Sequence, residues 1–225
     1  MCCDFTLIME KGRNAKQRVT KKTDNQEFYY NSLAGKILGS KAREKFIVNE
    51  INHLKKEQSF LEVGCAQGYY LSKALKKTKN VFGVDVVPSF IELAKRTKAK
   101  VSIASAEKLP YKANTFDMVL CTEVLEHVPD WEKAVKEIER VLKPKGRAIV
   151  TIPLEKSGFW KFFSIFFPPL KTRGHLNLLN SEDVKKAFSI KSKKKIFVQT
   201  MSRHLNSILP QNEGISMYVF LVFEK

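Results

Sequence analysis

A doubly wound α/β fold is what this 225-residue chain predicts, and three observations carry that expectation. From residue 58 onward, short apolar runs alternate with helix-period segments, the order that lays strands into one mostly parallel sheet. The run Phe60-Leu61-Glu62-Val63-Gly64-Cys65-Ala66-Gln67-Gly68 takes an apolar strand through a tight glycine turn into a helix. A second strand, Val81-Phe82-Gly83-Val84-Asp85, then ends in a carboxylate, which completes a βαβ unit.

Each element has its own signal. Residues 1–24 are polar and basic, with Lys11, Arg13, Lys16, Arg18, Lys21 and Lys22, and read as a flexible tail. Residues 25–57 read as N-terminal helices, because Phe28, Leu33, Ile37, Leu38, Phe46, Ile47, Ile51 and Leu54 recur at three- and four-residue spacing. Gly35 and Gly39 suggest a break between two of them. Residues 58–225 form the core. Its strands are expected at 59–63, 81–85, 101–104, 117–121, 147–152, 195–201 and 216–223. Its helices are expected at 68–77, 88–96, 130–142 and 181–188. Pro88 and Pro129 fall near helix starts, where a missing N–H costs little. Lys143-Pro144-Lys145-Gly146 stops the third core helix, and Ser181 is expected to cap the fourth. An aromatic insertion at 155–175 follows the fifth strand, on the edge where open α/β sheets bind ligands.

The glycine turn departs from the dinucleotide fingerprint, since G-C-A-Q-G lacks the third glycine. Glu62 precedes the turn, and a carboxylate there repels a pyrophosphate but attracts an ammonium or sulfonium group. Asp85 can accept hydrogen bonds from two neighbouring hydroxyls, as on a ribose. Further along come Ala106-Glu107-Lys108-Leu109-Pro110, Phe116-Asp117-Met118-Val119-Leu120, Thr122-Glu123-Val124-Leu125-Glu126-His127-Val128-Pro129-Asp130, and Val141-Leu142-Lys143-Pro144-Lys145-Gly146. In order and spacing these segments resemble the class I S-adenosylmethionine-dependent methyltransferases, in their small-molecule, quinone-biosynthesis-like subfamily (methyltransferase type 11). The likeness covers residues 58–153 well and 175–225 loosely.

That resemblance implies a Rossmann-like, seven-stranded, mostly parallel sheet with an antiparallel last strand, under a cap of N-terminal helices. It implies S-adenosyl-L-methionine as cofactor. Glu62, Gly64, Ala66 and Gly68 would hold the methionine part, Asp85 and Val86 the ribose side, and Ser105, Ala106 and Glu107 the adenine, with Thr122 beside them. Two positions depart from the pattern. Ala66 stands where the middle glycine is usual and tightens the loop. Ser105 stands where an Asp is common and is the weaker acceptor.

Methyl transfer from a sulfonium is an in-line displacement, so the protein mainly positions two reactants and excludes water. A base is needed only where the acceptor must lose a proton, and His127 is the candidate. The competing reading makes it a structural or cofactor-side residue of the Glu-His turn. Glu123 and Glu126 either shape the donor pocket or form a solvated helix entry. His175, with Phe159, Trp160 and Phe163 of the aromatic insertion, could line an acceptor pocket or dip into a membrane; core packing accounts for the aromatics equally well. The four histidines show no spacing such as H-E-x-x-H, so no metal is expected.

Lys plus Arg is 40 against 23 for Asp plus Glu, a net charge of +17. Such a basic protein favours anionic partners, whether nucleic acid, an anionic membrane surface or a phosphorylated substrate. An RNA methyltransferase is the main rival reading. Against it, the segment after the fourth strand lacks the Asn-Pro-Pro-Tyr of base-amine enzymes and the Pro-Cys of cytosine enzymes. A non-catalytic nucleoside-binding module is the third reading. The favoured acceptor is a small, apolar or lipid-like molecule. Cys2, Cys3, Cys65 and Cys121 have neither zinc nor disulfide-framework spacing, and no apolar run reaches the ~20 residues of a membrane span. Together these features point to a cytoplasmic protein with scope for peripheral contact with a membrane.

Overall fold

The computed structural model describes residues 40–154, 176–190, 192–198 and 218–225. The tail at 1–24, the helices expected before residue 40 and the aromatic insertion at 155–175 lie outside the described residues.

Helix α1 spans Ser40–Asn52. Strand β1 (Ser59–Val63) leads into α2 (Tyr69–Ala74), β2 (Asn80–Asp85) into α3 (Pro88–Ala94), and α3 into β3 (Lys100–Ile103). Strand β4 (Phe116–Thr122), a short 3-10 turn at Leu125–His127, and α4 (Trp131–Val141) follow. Strand β5 (Leu142–Pro153), α5 (Ser181–Ala187), β6 (Ser192–Val198) and β7 (Tyr218–Glu224) complete the described chain.

The strands join in the order β3-β2-β1-β4-β5-β7-β6. Strands β1 to β5 pair in parallel, and β7 runs antiparallel to both β5 and β6. The strand order reverses between β1 and β4. The carboxyl ends of those two strands therefore face a crevice left open by the diverging connections.

The central strands are apolar on both faces, as a covered parallel sheet requires. Every residue of β1 is buried, and Val119, Leu120 and Cys121 of β4 are fully so. Phe116 packs edge-to-face on Phe82 and Tyr111, while Phe188 stacks on Phe223 at 3.8 Å. Helix α1 buries Ile47 and Ile51 completely, worth roughly 1.5–3 kcal/mol each. Phe46 meets Phe220 edge-on, and Glu50 pairs with Arg147 of β5 at 3.1 Å.

Several boundaries differ from the sequence expectation, among them the end of α2, which stops at Ala74 where 77 was expected. The N-cap of α5 is Asn180, not Ser181. The Asn180 side chain accepts the Glu182 and Asp183 N–H groups, and Asp183 reaches back to the Asn180 N–H. Ser181 is itself buried in the first turn. Strand β6 begins at Ser192, three residues early, because a lysine-rich stretch is tolerated on an edge strand. Strand β5 extends back to Leu142, immediately beyond α4, with a register shift between Phe116 and Met118 of its partner.

Candidate active site

The turn after β1 is built from main-chain contacts. Gly64 and Cys65 both donate to the Val84 carbonyl, at 2.8 and 2.9 Å, which staples the turn to β2. Gly64 and Gly68 have φ of +73° and +83°. A Cβ on Gly64 would sit 2.4 Å from Val124 Cγ2, and one on Gly68 would meet Thr97 at 2.9 Å. Ala66, at φ +44°, is held left-handed despite its methyl group. Its N–H donates to Asp85 Oδ2 at 2.9 Å.

Asp85 thus closes the turn from the tip of β2. Its Oδ1 accepts the Val87 N–H at 2.9 Å, and a carboxylate with its several lone pairs keeps acceptor capacity for hydroxyls. Burial raises its pKa, against the pull of the Val87 and Ala66 N–H groups. Val86 beside it is 60% exposed, an apolar side chain presented at the carboxyl edge.

Glu62 is the more telling group. It is 3% exposed, and its Oε2 has no hydrogen-bond partner among the described residues. Burial drives its pKa well above the usual carboxylate range; the Leu71 N–H opposes this and the Asp85 charge adds to it. A buried carboxyl oxygen left without a donor costs free energy unless a ligand supplies one. Cys65, lodged against Gly83 of β2, has its thiol pushed up first by burial and then by Glu62 and Asp85, which disfavours the thiolate.

In the loop after β3, Ala106 is buried. The Ser105 hydroxyl donates to Glu107 Oε2 at 3.0 Å and accepts the Glu107 N–H at 3.1 Å. Glu107 also accepts the Asp130 N–H at 2.9 Å. Ser105 and Glu107 therefore tie the loop after β3 to the start of α4. Glu137 and Arg140 strengthen the tie, since Glu137 accepts the Leu109 N–H and Arg140 donates to the Tyr111 carbonyl.

Beyond β4, Thr122 is half-buried and Glu123 adopts a left-handed φ of +54°. Glu123 is fixed by the Thr151 hydroxyl at 2.9 Å and lies 3.8 Å from Arg43 of α1. His127 ends the 3-10 turn, half-buried on the same edge. That turn is clipped from outside. Leu176 and Asn177 donate backbone N–H groups to the Glu126 carbonyl, and the Asn177 amide donates to the Leu125 and Val128 carbonyls at 3.2 and 2.7 Å. Leu176 and Leu178 stand outward at 58% and 53% exposure.

The fold therefore brings Glu62, Gly64, Ala66, Gly68, Asp85, Val86, Ser105, Ala106, Glu107, Thr122 and His127 to the carboxyl edge of one sheet. Phe159, Trp160, Phe163 and His175 lie outside the described residues. Sequence reasoning missed Arg43, Val124 and Asn177. Val124 had a weak signal, standing beside Glu123, whereas Arg43 and Asn177 reach the site through contacts between residues dozens of positions apart. This edge offers a buried carboxyl oxygen without a donor at Glu62 and, at Asp85, a carboxylate able to accept from vicinal hydroxyls.

Residues 61–150 match the family model described as a methyltransferase domain. The chain is 36% identical over 138 residues to an uncharacterised protein of Methanocaldococcus jannaschii, covering 58% of this chain and 60% of that one. It is 33% identical over 129 residues to the demethylmenaquinone methyltransferase of Staphylococcus aureus, covering 51% and 54%. The chain thus spans little more than half the length of these curated relatives. Its fold is similar to that of a solved Thermotoga maritima protein described as a possible histamine N-methyltransferase. The TM-score is 0.65 at 22% identity, over 92% of this chain and 99% of that one, a likeness that speaks to fold alone.

Proposed function

We propose that this chain, whose residues 61–150 match a methyltransferase-domain family model, transfers a methyl group from S-adenosylmethionine to a small, apolar or lipid-like acceptor. The observation that carries the proposal is the orphaned, buried Glu62 oxygen beside the Gly64–Gly68 turn and Asp85. This donor set fits a nucleoside bearing a positive charge and opposes a pyrophosphate.

The cofactor supplies an electrophilic methyl group on a sulfonium centre. The chain supplies position. Glu62 attracts the cationic part, Asp85 accepts from the ribose hydroxyls, and Val86 and Ala106 cover the faces of the base. The turn at Leu125–His127 borders the place where an acceptor would sit. In this reading His127 takes the proton of an acceptor that must lose one. Asn177 keeps that turn in place through its two amide hydrogen bonds.

Support for an apolar acceptor comes from the outward pair Leu176 and Leu178 on the clip, from the aromatic content of 155–175, and from the activity for which the Staphylococcus relative is named. No helix among the described residues is long and apolar enough to cross a membrane. The aromatic insertion is proposed as the element that reaches an apolar substrate or the lipid surface holding it. Liposome flotation of a Trp160→Ser, Phe163→Ser variant alongside the parent checks that part; equal flotation removes it.

The function is tested by calorimetric titration with S-adenosylmethionine, S-adenosylhomocysteine and NADH. Micromolar binding of the first two and none of the third is the expected result. Transfer of labelled methyl from S-adenosylmethionine into the organic-soluble fraction of a cell extract, rather than into RNA, supports the apolar acceptor. Label in RNA favours the rival reading. Failure to bind any of the three compounds overturns the proposal.

A further inference from the structure

The net charge of +17 is not spread evenly over the fold. In a parallel sheet, the chain enters every strand at the amino edge, opposite the crevice. The approach to β2 carries Lys76, Lys77 and Lys79, and the approach to β3 from the end of α3 carries Lys95, Arg96 and Lys98, all exposed. Lys55 and Lys56 precede β1, Lys112 precedes β4, and Lys145 lies near the start of β5. Across the approaches to β1, β2, β3 and β4, at 53–58, 75–79, 95–99 and 112–115, Glu57 is the lone acid.

These approaches adjoin one another. The Thr78 hydroxyl donates to the Gln58 carbonyl at 2.6 Å, and Asn80 reaches the Glu57 carbonyl. Strands β3, β2, β1 and β4 are consecutive neighbours, and strand spacing is about 4.8 Å, so their leading ends form one continuous basic row. Lys95 pairs with Glu92, and Lys143 with Asp117. Among the described residues, Lys76, Lys77, Lys79, Arg96 and Lys98 have no carboxylate partner.

The opposite edge has the reverse character. Glu62, Asp85, Glu107, Glu123 and Asp130 gather there, and so do the large exposed apolar residues Tyr69, Val86, Ile103, Leu176 and Leu178. Among the described residues the amino edge offers charge without a large exposed apolar side chain, which an interfacial lipid contact would use. A row of unpaired cations without apolar insertion suits phosphodiesters, which are bound by charge and counterion release.

We propose that the amino edge of the sheet is a docking surface for the phosphate backbone of nucleic acid, held away from the chemistry rather than presented to it. Five residues of β1 separate this edge from the Gly64 turn, about 16 Å at a rise of 3.3 Å per residue, and the acidic crevice repels a polyanion. The bound polymer is thus a tether and not the methyl acceptor. The inference does not depend on which acceptor is used.

The test is fluorescence anisotropy with a labelled single-stranded oligonucleotide of mixed sequence, across salt concentrations. The variant Lys76→Glu, Lys77→Glu, Lys79→Glu, Lys98→Glu reverses the row, and Lys108→Glu, Lys133→Glu makes a control on the crevice side. The parent should bind, and lose about 100-fold in affinity between 50 and 200 mM salt if about five phosphates are contacted. The row variant should bind at least 10-fold more weakly, the control should match the parent, and all three should bind S-adenosylmethionine equally. A Lys→Gln version of the row variant should lose affinity in the same direction. No oligonucleotide binding by the parent, equal loss in the control, or loss of anionic-vesicle flotation in the row variant with oligonucleotide binding intact would each overturn the proposal. Methylation of the bound oligonucleotide would overturn the tether role.

Discussion

Glu62 and Asp117 are carboxylates on neighbouring strands of one sheet, and they are treated in opposite ways. Glu62, on β1, is buried with one oxygen unmatched and its pKa raised, chiefly by desolvation. Asp117, near the amino end of β4, also feels desolvation. It nevertheless accepts from Lys143 at 2.8 Å and from the Ser59 N–H at 2.8 Å, and its pKa falls. A scaffold satisfies its polar groups, whereas a binding site leaves some to be satisfied by what arrives. That difference separates the two edges more sharply than composition does.

The largest effects come from the glycines. Gly64→Ala puts a methyl group 2.4 Å from Val124 at positive φ and should abolish measurable cofactor binding, with a stability loss of about 2–5 kcal/mol. Gly146→Ala, at the amino edge, meets the Lys143 carbonyl at 2.8 Å. It should lower the melting temperature while any remaining folded protein binds S-adenosylmethionine with unchanged affinity. If both variants lose affinity alike, the two edges are not independent.

The carboxylates divide the same way. Asp85→Ala should weaken cofactor binding by roughly 1–3 kcal/mol in calorimetry. Asp117→Ala strands the Ser59 N–H and should cost roughly 1–3 kcal/mol of stability in denaturant titration, without changing cofactor affinity.

pH sharpens the contrast. Glu62 holds its proton to higher pH in the folded protein than in the unfolded chain. Its contribution to the stability of the ligand-free protein is full below the usual carboxylate range and is lost as pH rises through the raised value. Asp117 contributes above that range and loses its contribution as pH falls through the lowered value. A tenfold difference in proton affinity between folded and unfolded chain corresponds to about 1.4 kcal/mol. Glu62→Gln should remove the loss on the alkaline side, while Asp117→Asn should flatten the acid side. Thermal melts of the ligand-free variants across pH check both, and identical profiles would break the comparison.

The smallest effect concerns Ala66. Ala66→Gly relieves the left-handed backbone but frees the unfolded chain, for a net gain under about 1 kcal/mol. Isothermal titration should show cofactor affinity equal to or slightly above that of the parent.

Of the fold and site, the half from β1 to β3 was the more legible. Its strands fell within a residue of expectation, because apolar runs bounded by glycine and proline are local signals. Gly64, Gly68 and Asp85 could be singled out because a glycine turn and a strand-end carboxylate are marked by residue type alone. The cap of α5 was misplaced by one residue, since Asn180 and Ser181 are both good caps and only the buried packing of Ser181 selects between them. Strand β6 was shifted because an edge strand lacks the apolar alternation that reveals a half-buried one.

By itself the sequence determined the alternation of strand and helix that lays down a mostly parallel sheet, and the acidic-glycine-acidic constellation, whereas the antiparallel last strand was only what the family resemblance implied. The alternation and the constellation depend on residue type and on spacing over short stretches of chain. Tertiary structure decided the rest. It set Val124 against Gly64, brought Arg43 to Glu123, clipped Asn177 onto the His127 turn, and lined up the lysines before β1, β2 and β3 along one edge. Those relations join residues far apart in the chain, and only the packing of the sheet and its helices fixes which distant groups meet.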